Sequence, residues 1–381
     1  MSYFLFVNSI VGKRGGVGVR ADYILKRAKL TGQRVYCLSR GRVAPSVSDV
    51  TYFSMGLLGH VSRLLNAVRI YVYPKFNHRK YDVFLFEWFV KWRLPKCEPN
   101  EKKVAHIWES SPEIISFLRL KGFFVILDLP MAPSSYNKRL RESGENDFLY
   151  YNEHLVRKEK EAFELADIII SPSDFVLREL IEIGVARSKI RLVEFGVDPL
   201  SSLPDAKDDK QKVGLDFCFF GNISKRKGVP ELLNVWSNRE FAVDRLHLCG
   251  RIYPEVQSQI NLSKSGELIT PGFVDAVEYM KKCDVFILPS WLEGSSKAVY
   301  ESMSAGLVSI VTKSSGSIVR DGIDGFVIEA GDTESLLDKM LWIKRHPFKA
   351  KKMGVLAQEH VSSFTWEVYA DKVIQVYKEG E

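Results

Sequence analysis

The segment "DVFILPSWLEGSSKAVYESMSAGLVSIVTK" (residues 284–313) contains an apolar run, a turn, an amphipathic stretch and a second apolar run. This order is typical of a β-α-β unit in a parallel sheet. Its turn carries Glu293, and a helix is expected to begin near Lys297 and to end before Gly306. The segment therefore predicts an α/β fold and places two carboxylates, Glu293 and Glu301, at one loop between a strand and a helix.

The same alternation of short apolar runs and amphipathic stretches extends through the whole chain. The strand-like runs of the first half are "YFLFVNSI", "RVYCLS", "YDVFLFEW", "KVAHIW", "FFVILDLP", "DIIISPS" and "IRLVEFGVDP". Those of the second half are "DFCFFGN", "RLHLCG", "ELITPGF", "DVFILPS", "VSIVTK" and "GFVIEA". A chain of 381 residues exceeds the usual size of one core. We expect two doubly wound, Rossmann-like domains that face a cleft.

The domain boundary is predicted at a polar, proline-containing segment, "LSSLPDAKDDKQK". Such composition is typical of an exposed linker. The expected division is a first domain over 1–200, a hinge over 201–212 and a second domain over 213–363. Ligands of such sheets lie beyond the carboxyl ends of the strands, so the loops that follow strands are the places to look for chemistry.

Composition excludes several classes of protein. A hydrophobic content of 46% with 12% aromatic residues excludes a disordered or fibrous chain. The five cysteines lack Cys-x-x-Cys spacing and the seven histidines lack ligand spacing, so we expect a reducing cytosol and no metal site. No apolar run approaches the roughly 18 residues of a membrane helix, and the first apolar stretch has no basic region before it, unlike a signal peptide.

Positive charge is concentrated in the first hundred residues. Residues 1–100 carry 17 Lys and Arg against 5 Asp and Glu, a balance of +12, whereas residues 101–200 carry −3 and residues 201–381 carry −2. Charge of one sign in one part of a chain indicates an anionic partner such as nucleic acid, a phosphorylated lipid or a membrane surface. A solubilising excess of charge is the alternative.

Two loops of the second half carry residues suited to a phosphorylated sugar ligand. At the helix predicted from Lys297, unpaired N–H groups and the dipole suit an anion, while Glu301 and Glu293 could accept hydrogen bonds from ribose and sugar hydroxyls. The loop "FFGNISKRKGVPELL" (219–233) adds a basic cluster that could clamp an anion, formed by Lys225, Arg226 and Lys227. Solvated glutamates and a solvated basic turn are the alternatives.

The first-half loops are less specific. In "VNSIVGKRGGVGVRADYILKR" (7–27), Gly16, Gly18 and Ala21 match a dinucleotide-binding fingerprint, and a dehydrogenase is an alternative. The fingerprint begins later than the end of the first strand, which favours a glycine loop that faces a phosphate. His106 ends a predicted strand and could enter the cleft. A structural histidine satisfied by its neighbours fits the sequence equally well, and the same holds for Glu109.

Together these loops resemble the retaining glycosyltransferases of family 4, which have the GT-B fold. The resemblance rests on "GNISKRKGVPELL", "HLCGRIYPEV" and the long stretch from "ITPGF" to "VIEAGD", and is supported by "RGGVGVRADYIL", "ADIIISPS", "LVEFGVDP" and "FTWEVYADKVIQVY". It covers nearly the full chain, firmly after Ala166 and loosely between about 41 and 150. The resemblance implies that the closing helix, 364–381, returns to the first domain.

The resemblance also implies roles for the carboxylate loop. Glu301 would hold the donor ribose, and Glu293 would contact the donor sugar. Backbone N–H groups of the turn, at Gly294, Ser295 and Ser296, would assist, and Lys297 would add charge. Both serines depart from the usual aromatic residue and glycine of the family's turn.

The remaining implied residues bind the departing nucleotide. Lys227 would neutralise the diphosphate, Gly16 would approach it, and the backbone near Gly250 and Phe273 would contact the base. Asn222 replaces the arginine often found in the family, which leaves Arg226 or Lys225 as a substitute. Asp128 occupies the strand of the family's active-site histidine, so His106, one strand earlier, is the candidate catalytic histidine.

The predicted function is a retaining, metal-independent glycosyltransferase that moves a hexose to a hydroxyl of a glycan or lipid-linked saccharide, in polysaccharide or glycolipid synthesis. The implied co-substrate is a UDP- or GDP-linked hexose, with no cofactor and no nucleic acid. A GT-B phosphorylase, a sugar-nucleotide epimerase and a non-catalytic sugar-nucleotide-binding membrane scaffold are the alternatives.

The expected location is the cytoplasm, with peripheral binding to the inner face of the membrane. Residues 56–76 carry apolar side chains at helical spacing among basic residues, and "WFVKWRLPK" (88–96) interleaves tryptophans with lysine and arginine. Basic residues near an anionic leaflet contribute about 1 kcal/mol each. A helix that faces the core explains the apolar stripe equally well.

Overall fold

The computed structural model describes most of the chain. The described residues are 1–9, 11, 16–41, 47–56, 61, 64, 78–98, 100–198, 213–262 and 265–380. The predicted hinge, 201–212, lies outside the described residues, as does most of the apolar stretch 56–76. None of the described helices combines the length and the apolar character that crossing a membrane requires.

The first half of the chain forms a parallel sheet of seven strands in the order β3-β2-β1-β4-β5-β6-β7. The strands are β1 (Ser2–Val7), β2 (Arg34–Ser39), β3 (Thr51–Ser54), β4 (Lys103–Ile107), β5 (Phe123–Asp128), β6 (Ile168–Ser171) and β7 (Ile190–Leu192). The described helices are α1 (Gly16–Lys29), α2 (His78–Arg93), α3 (Pro112–Leu120), α4 (Ser134–Glu142), α5 (Glu153–Leu165) and α6 (Asp174–Glu182). Strands β1 and β5 are almost fully buried, as expected for a sheet with helices on both faces.

The second half forms a parallel sheet of six strands in the order β10-β9-β8-β11-β12-β13. The strands are β8 (Asp216–Phe220), β9 (Arg245–Cys249), β10 (Glu267–Gly272), β11 (Val285–Leu288), β12 (Val308–Thr312) and β13 (Gly325–Ile328). The helices are α7 (Val229–Trp236), α8 (Pro254–Leu262), α9 (Ala276–Met280), α10 (Lys297–Ser304), α11 (Thr333–Arg345), α12 (Pro347–Val361) and α13 (Trp366–Tyr377). The predicted class, α/β with two doubly wound parallel sheets, is confirmed.

In both sheets the strand order reverses beside the first strand of the domain. The reversal lies between β1 and β4 in the first sheet and between β8 and β11 in the second. Loops that leave such a switch point splay apart and form the crevice in which ligands of doubly wound sheets bind. The loops after β8 and β11, which carry the basic cluster and the carboxylates, flank this point in the second domain.

The last helix, α13, packs against α1 of the first domain. Its Tyr377 and Tyr3 of β1 have ring centroids 4.9 Å apart, and Trp366 stacks on Tyr23 of α1 at 5.4 Å. The approach before the helix is close, because a Cβ added at Gly196 would lie 2.4 Å from the backbone nitrogen of Trp366. The first and second domains are therefore tied together by packing as well as by chain connectivity.

Two expectations about the first half were wrong in detail. The run "YDVFLFEW" belongs to helix α2 rather than to a strand, and the short strand β3 was not anticipated. The buried side chains of α2, Phe86, Phe89 and Val90, follow the i, i+3, i+4 spacing of a helix. An apolar run of eight residues fits either period, so the sequence pattern alone does not decide between them.

Candidate functional site

The loop after β8 is shaped by close backbone packing against the end of β11. It passes through a single 3₁₀ turn, Lys225–Lys227, before α7. Gly228, between turn and helix, has φ of 71°, and a Cβ there would lie 1.9 Å from the carbonyl oxygen of Pro289. Only glycine fits this position. The packing holds the basic turn beside the loop that contains Glu293.

Four residues of these two loops form an ion-pair cluster, which we call the donor cluster: Arg226, Lys227, Ser290 and Glu293. The Oε1 atom of Glu293 lies 2.6 Å from Nζ of Lys227 and 2.8 Å from Nη1 of Arg226. The hydroxyl of Ser290 donates to the same oxygen at 3.1 Å. The structure thus brings together Arg226, Lys227 and Glu293, which were predicted as site residues from two separate loops, and adds Ser290, which was not predicted.

The donor cluster keeps the carboxyl of Glu293 ionised. Burial by itself would raise the pKa of this group, but the positive charges of Lys227 and Arg226 lower the pKa below its usual value. A negative charge held between two cations leaves a net positive charge in the cluster. An incoming anion can therefore compete with Glu293 for the two cations.

Helix α10 begins directly after this loop with its N-terminal N–H groups uncapped by a side chain. Ser296 is the N-cap residue but its side chain makes no cap hydrogen bond, and Ser295 instead contacts the hydroxyl of Tyr300 at 3.2 Å. Glu301, one turn into the helix, is mostly buried and pairs with Lys297. The helix spans the predicted residues, and its N-terminus, without a side-chain cap, is a place where an anion would be stabilised.

The turn between the donor cluster and α10 is fixed by the first domain. The hydroxyl of Ser173 donates to the carbonyl oxygen of Gly294 at 2.6 Å, and a Cβ at Gly294 would lie 2.2 Å from the carbonyl oxygen of Pro130. Trp291 and Leu292 are buried in the apolar core of the first domain. The candidate site therefore lies at the interface of the domains, as expected for a cleft.

The residues expected near the base and the diphosphate lie at the ends of neighbouring strands. Gly250 follows β9 with φ of 139°, and a Cβ there would lie 2.0 Å from the carbonyl oxygen of Gly221. Phe273 follows β10 and is 83% exposed. Asn222 is exposed on the loop after β8. Both side chains are accessible to a ligand.

Gly16 lies in the first domain, at the start of α1. It is exposed, and no described atom lies within 4 Å of a Cβ built on it. Residues 12–15 before it, which include the basic pair of the glycine loop, lie outside the described residues. The expected approach of this glycine to a diphosphate stays a prediction.

His106 does not enter the cleft but lies in the core of the first domain, where it is 0% exposed. Its Nε2 lies 3.2 Å from Asp128 Oδ2, and its Nδ1 lies 3.0 Å from the hydroxyl of Tyr377 in α13. Burial lowers the pKa of His106 below its ordinary value, although Asp128 opposes this effect. This corrects the expectation of a cleft-facing histidine: the buried environment fits a structural residue, and we propose no catalytic role for His106.

A buried network surrounds this histidine, and we call it the core network: Arg20, His106, Asp128, Tyr369 and Tyr377. Nη1 of Arg20 donates to Asp128 at 2.7 Å, and the Tyr369 hydroxyl donates to Asp128 at 3.3 Å. No local sequence pattern links these residues, since they come from four elements between 20 and 377. The signal available in the sequence was only a charged residue, Asp128, at the end of an apolar strand.

Part of the chain is similar to known glycosyltransferases. Residues 214–346 match the family model described as glycosyl transferases group 1. The chain is 28% identical over 166 residues to an uncharacterized glycosyltransferase of Methanocaldococcus jannaschii, which covers 42% of this chain and 47% of the relative. It is 36% identical over 88 residues to the UDP-Gal:alpha-D-GlcNAc-diphosphoundecaprenol alpha-1,3-galactosyltransferase of Escherichia coli, 22% of each chain. The matched stretches thus span about half or less of these relatives.

Among solved structures, the chain is similar to Anabaena HepE in complex with UDP-glucose, with a TM-score of 0.68, 15% identity and 99% of each chain covered. At this identity the likeness concerns the fold. The predicted GT-B fold and the resemblance to glycosyltransferases are confirmed. The match of residues 214–346 and the names of the partly covered relatives agree with the enzyme class predicted from the sequence, a glycosyltransferase.

Proposed function

We propose that this glycosyltransferase, whose residues 214–346 match the group 1 family, moves a hexose from a nucleotide-sugar donor to a hydroxyl of a glycan or lipid-linked saccharide. The transfer retains the anomeric configuration and needs no metal ion. The observation that carries this proposal is the donor cluster at the start of α10, in which Glu293 pairs with Lys227 and Arg226. UDP and GDP are the candidate nucleotides, and HepE, which shares the fold, binds UDP-glucose.

Electrostatics explain why a diphosphate suits the donor cluster. The anionic oxygens of the diphosphate would compete with Glu293 for Lys227 and Arg226, and N–H groups at the start of α10 would add further donors. These groups meet the charge that develops on the leaving phosphate, which is the place where stabilisation lowers a barrier most. Positive charge supplied in this way takes the part that a divalent cation plays in metal-dependent transferases.

The carboxylates then contact the neutral parts of the donor. Once phosphate occupies the cations, the oxygens of Glu293 can accept hydrogen bonds from hexose hydroxyls. Glu301 can accept from the ribose hydroxyls, since carboxylates pair well with adjacent O–H groups. The exposed ring of Phe273 offers a surface for the base.

The chemical step exchanges one C–O bond for another. The bond between the anomeric carbon and the β-phosphate oxygen breaks, the acceptor oxygen bonds to the same face of that carbon, and the acceptor proton passes to the departing phosphate. Lys227, mostly buried beside this oxygen's expected position, stabilises the leaving diphosphate. No water-derived nucleophile or covalent intermediate is needed.

The test is a thermal-shift screen with UDP, GDP and ADP, followed by a transfer assay. A ligand at 100 times its dissociation constant stabilises the folded state by about 2.7 kcal/mol, a shift that is readily measured. We expect one nucleotide to stabilise the chain, and its hexose conjugate to be consumed with release of that nucleotide after treatment with EDTA. Absence of stabilisation by every nucleotide contradicts the proposal, and release of sugar 1-phosphate from a glycan indicates a phosphorylase instead.

We propose further that the first domain binds an anionic membrane surface from the cytoplasmic side. Helix α2 exposes an aromatic face formed by Tyr81, Phe84, Trp88 and Trp92, of which the last two are 47% and 61% exposed and stacked at 5.5 Å. Tryptophan and tyrosine favour the membrane interface, and exposed Lys91 and Arg93 follow on the same helix. The +12 balance of residues 1–100 complements an anionic leaflet.

Liposome sedimentation tests this surface. We expect the wild-type chain to sediment with anionic vesicles at low salt and less at high salt, because screening weakens exposed charges. The double variant Trp88→Ser/Trp92→Ser should stay in the supernatant. Phe348→Ser, which removes a 90% exposed aromatic ring from α12 in the second domain, is the matched control and should sediment like wild type. Equal recovery of all proteins in the supernatant contradicts membrane binding.

A further inference from the structure

The first domain contains a cavity of about 490 Å³ that is separate from the donor cluster. It lies between helix α2, the loop after β4 and the first turns of α5. A volume of this size suits a small ligand or one to two sugar rings. The loop after β4 leaves the carboxyl end of a strand beside the switch point of the first sheet, which is where doubly wound domains bind ligands.

Two exposed aromatic rings lie in the lining of the cavity. Phe84 of α2 is 62% exposed and Tyr150, before α5, is 63% exposed. Aromatic rings of this exposure offer flat apolar surfaces, and the tyrosine adds a hydroxyl that can donate or accept a hydrogen bond. Flat apolar surfaces beside polar groups match a sugar ring, which has apolar C–H faces and hydroxyls at its edge.

The polar groups of the lining are mainly carboxylates. Ser111 donates to Glu87 at 2.7 Å and to Glu113 at 3.2 Å, and Glu113 also pairs with Lys158. Burial raises the pKa of Glu87, and in the described part of the chain no cation forms an ion pair with it. Glu87 is thus a partly desolvated acceptor that hydroxyl groups of a ligand could satisfy.

The charge of the cavity contrasts with that of the domain. Three carboxylates of the lining, Glu87, Glu109 and Glu113, face two cations, Lys158 in the lining and Arg40, which lies 3.9 Å from Glu109, whereas the first hundred residues carry +12. A net negative lining repels carboxylate, sulfate and phosphate groups. The cavity is therefore selective by charge as well as by shape.

The cavity adjoins the loops of the donor site through one short segment. Phe148, two residues before Tyr150, has its ring centroid 6.0 Å from that of Trp291, and Nζ of Lys225 lies 5.9 Å from its ring. Trp291 precedes Glu293 by two residues, and Lys225 begins the basic turn. The chain segment that carries Tyr150 thus also packs against the loops of the donor site.

We propose that this cavity binds the acceptor through a saccharide unit without negative charge, stacked on Tyr150 and Phe84 and held by hydroxyl hydrogen bonds to Glu87. The inference rests on the proposed glycosyltransferase function and specifies its acceptor. Helix α2 contributes Phe84 to both the cavity and the aromatic face proposed to contact the membrane. A lipid-linked saccharide could thus present its sugar to the cavity while its lipid stays in the bilayer.

Binding is measured by saturation-transfer NMR with four probes: the methyl glycosides of glucose, galactose, N-acetylglucosamine and glucuronic acid. The proteins are wild type, Tyr150→Ala and Glu87→Gln. Two controls are Glu161→Gln, an exposed carboxylate of α5 outside the cavity, and Phe348→Ala, an exposed ring of the second domain. Stabilisation by UDP and GDP is measured on every variant, so that loss of the donor site is seen separately.

We expect at least one uncharged glycoside to bind wild type and both controls. It should bind Glu87→Gln about tenfold more weakly, the cost of one charge-assisted contact, and Tyr150→Ala at least about threefold more weakly, because a stacking surface is lost. The glucuronide should bind at least tenfold more weakly than the uncharged glycoside, and Glu87→Gln should narrow this difference. Unaltered nucleotide stabilisation in the cavity variants separates this result from the donor site. Binding of no uncharged glycoside, equal binding of the glucuronide, or equal binding by all variants overturns the proposal; failure of nucleotide stabilisation instead overturns the donor assignment.

Discussion

The donor cluster and the core network contain the same kinds of groups but differ in what surrounds them. Each pairs a carboxylate that is mostly or fully buried with a cation: Glu293 with Lys227, and Asp128 with Arg20. The core network lies within β4, β5 and α1 and is closed by two tyrosines of α13. The donor cluster lies in loops beyond the strand ends, beside an uncapped helix terminus.

The difference shows that the neighbours of a charged pair decide its use more than its residue types. In the core network every hydrogen bond named above goes to another buried side chain, so a ligand has nothing to displace there. In the donor cluster, Glu293 shares one oxygen with two cations and a hydroxyl, and Arg226 keeps a side chain that is 30% exposed. Such a cluster can exchange its internal carboxylate for a phosphate.

The largest expected effect is a loss of stability when the Asp128–Arg20 pair of the core network is broken. Asp128→Ala leaves Arg20 as a buried cation without its partner, and breaking a buried pair in this way costs about 3–5 kcal/mol. The measurement is urea unfolding followed by circular dichroism. The matched control is Asp174→Ala, which removes an exposed ion pair with Arg178 and should cost less than about 1 kcal/mol. Equal losses of unfolding free energy in the two variants would contradict the distinction between the buried pair of the core network and an exposed ion pair.

The next largest effect is expected on turnover, at Lys227 of the donor cluster. Lys227→Ala removes the cation that meets the leaving diphosphate, and we expect kcat to fall by about 100-fold or more, as for one donor of an oxyanion hole. The neighbouring Lys225→Ala, which removes a less buried cation of the same turn, should change kcat far less. Turnover near wild type in Lys227→Ala would remove this lysine from the mechanism.

The sequence predicts much of the donor cluster but not the core network. Its residues lie in two short loops after apolar strands, so chain order already brings Lys227 and Glu293 to one sheet edge. His106 also lies on such a strand, yet it is closed off by Tyr377, which is 271 residues away in the chain. A pattern of local periods has no information about that contact.

Helix α2 shows the same limit for secondary structure. Its run of apolar residues fits a buried strand, but Phe84 and Trp88 are exposed and only one helical face is buried. Packing of that face against the sheet decides the outcome. The cavity beside α2 was likewise beyond prediction, because its lining comes from α2, the loop after β4 and α5.

A smaller effect, on nucleotide affinity, is expected at Glu301, the proposed ribose contact. Glu301→Ala should weaken binding of the stabilising nucleotide by about tenfold, the usual cost of a hydrogen bond to a charged group, and should leave the fold intact. Isothermal titration calorimetry measures the affinity. Glu334→Ala, an exposed carboxylate in the first turn of α11, is the control and should bind as wild type. Unchanged affinity in Glu301→Ala would contradict the ribose assignment.

The smallest effect is expected in the core network, on the pH dependence of the melting temperature. Burial lowers the folded-state pKa of His106 below its ordinary value near 6.5. As pH falls through about 6.5, the unfolded chain binds a proton that the folded chain does not, so this histidine makes the folded state lose stability toward acid. His106→Gln removes this titrating imidazole. The melting temperature of the variant should therefore fall less than that of wild type between pH 7.5 and roughly 5.5. His154→Gln, which replaces an exposed histidine of α5, is the control and should retain the wild-type slope. Turnover of His106→Gln at pH 7.5 should stay within about threefold of wild type, because a side chain that is 0% exposed and bonded to Asp128 and Tyr377 cannot touch the acceptor. A loss of turnover comparable to that of Lys227→Ala, with stability preserved, would instead place His106 in the reaction and erase the contrast between the two clusters.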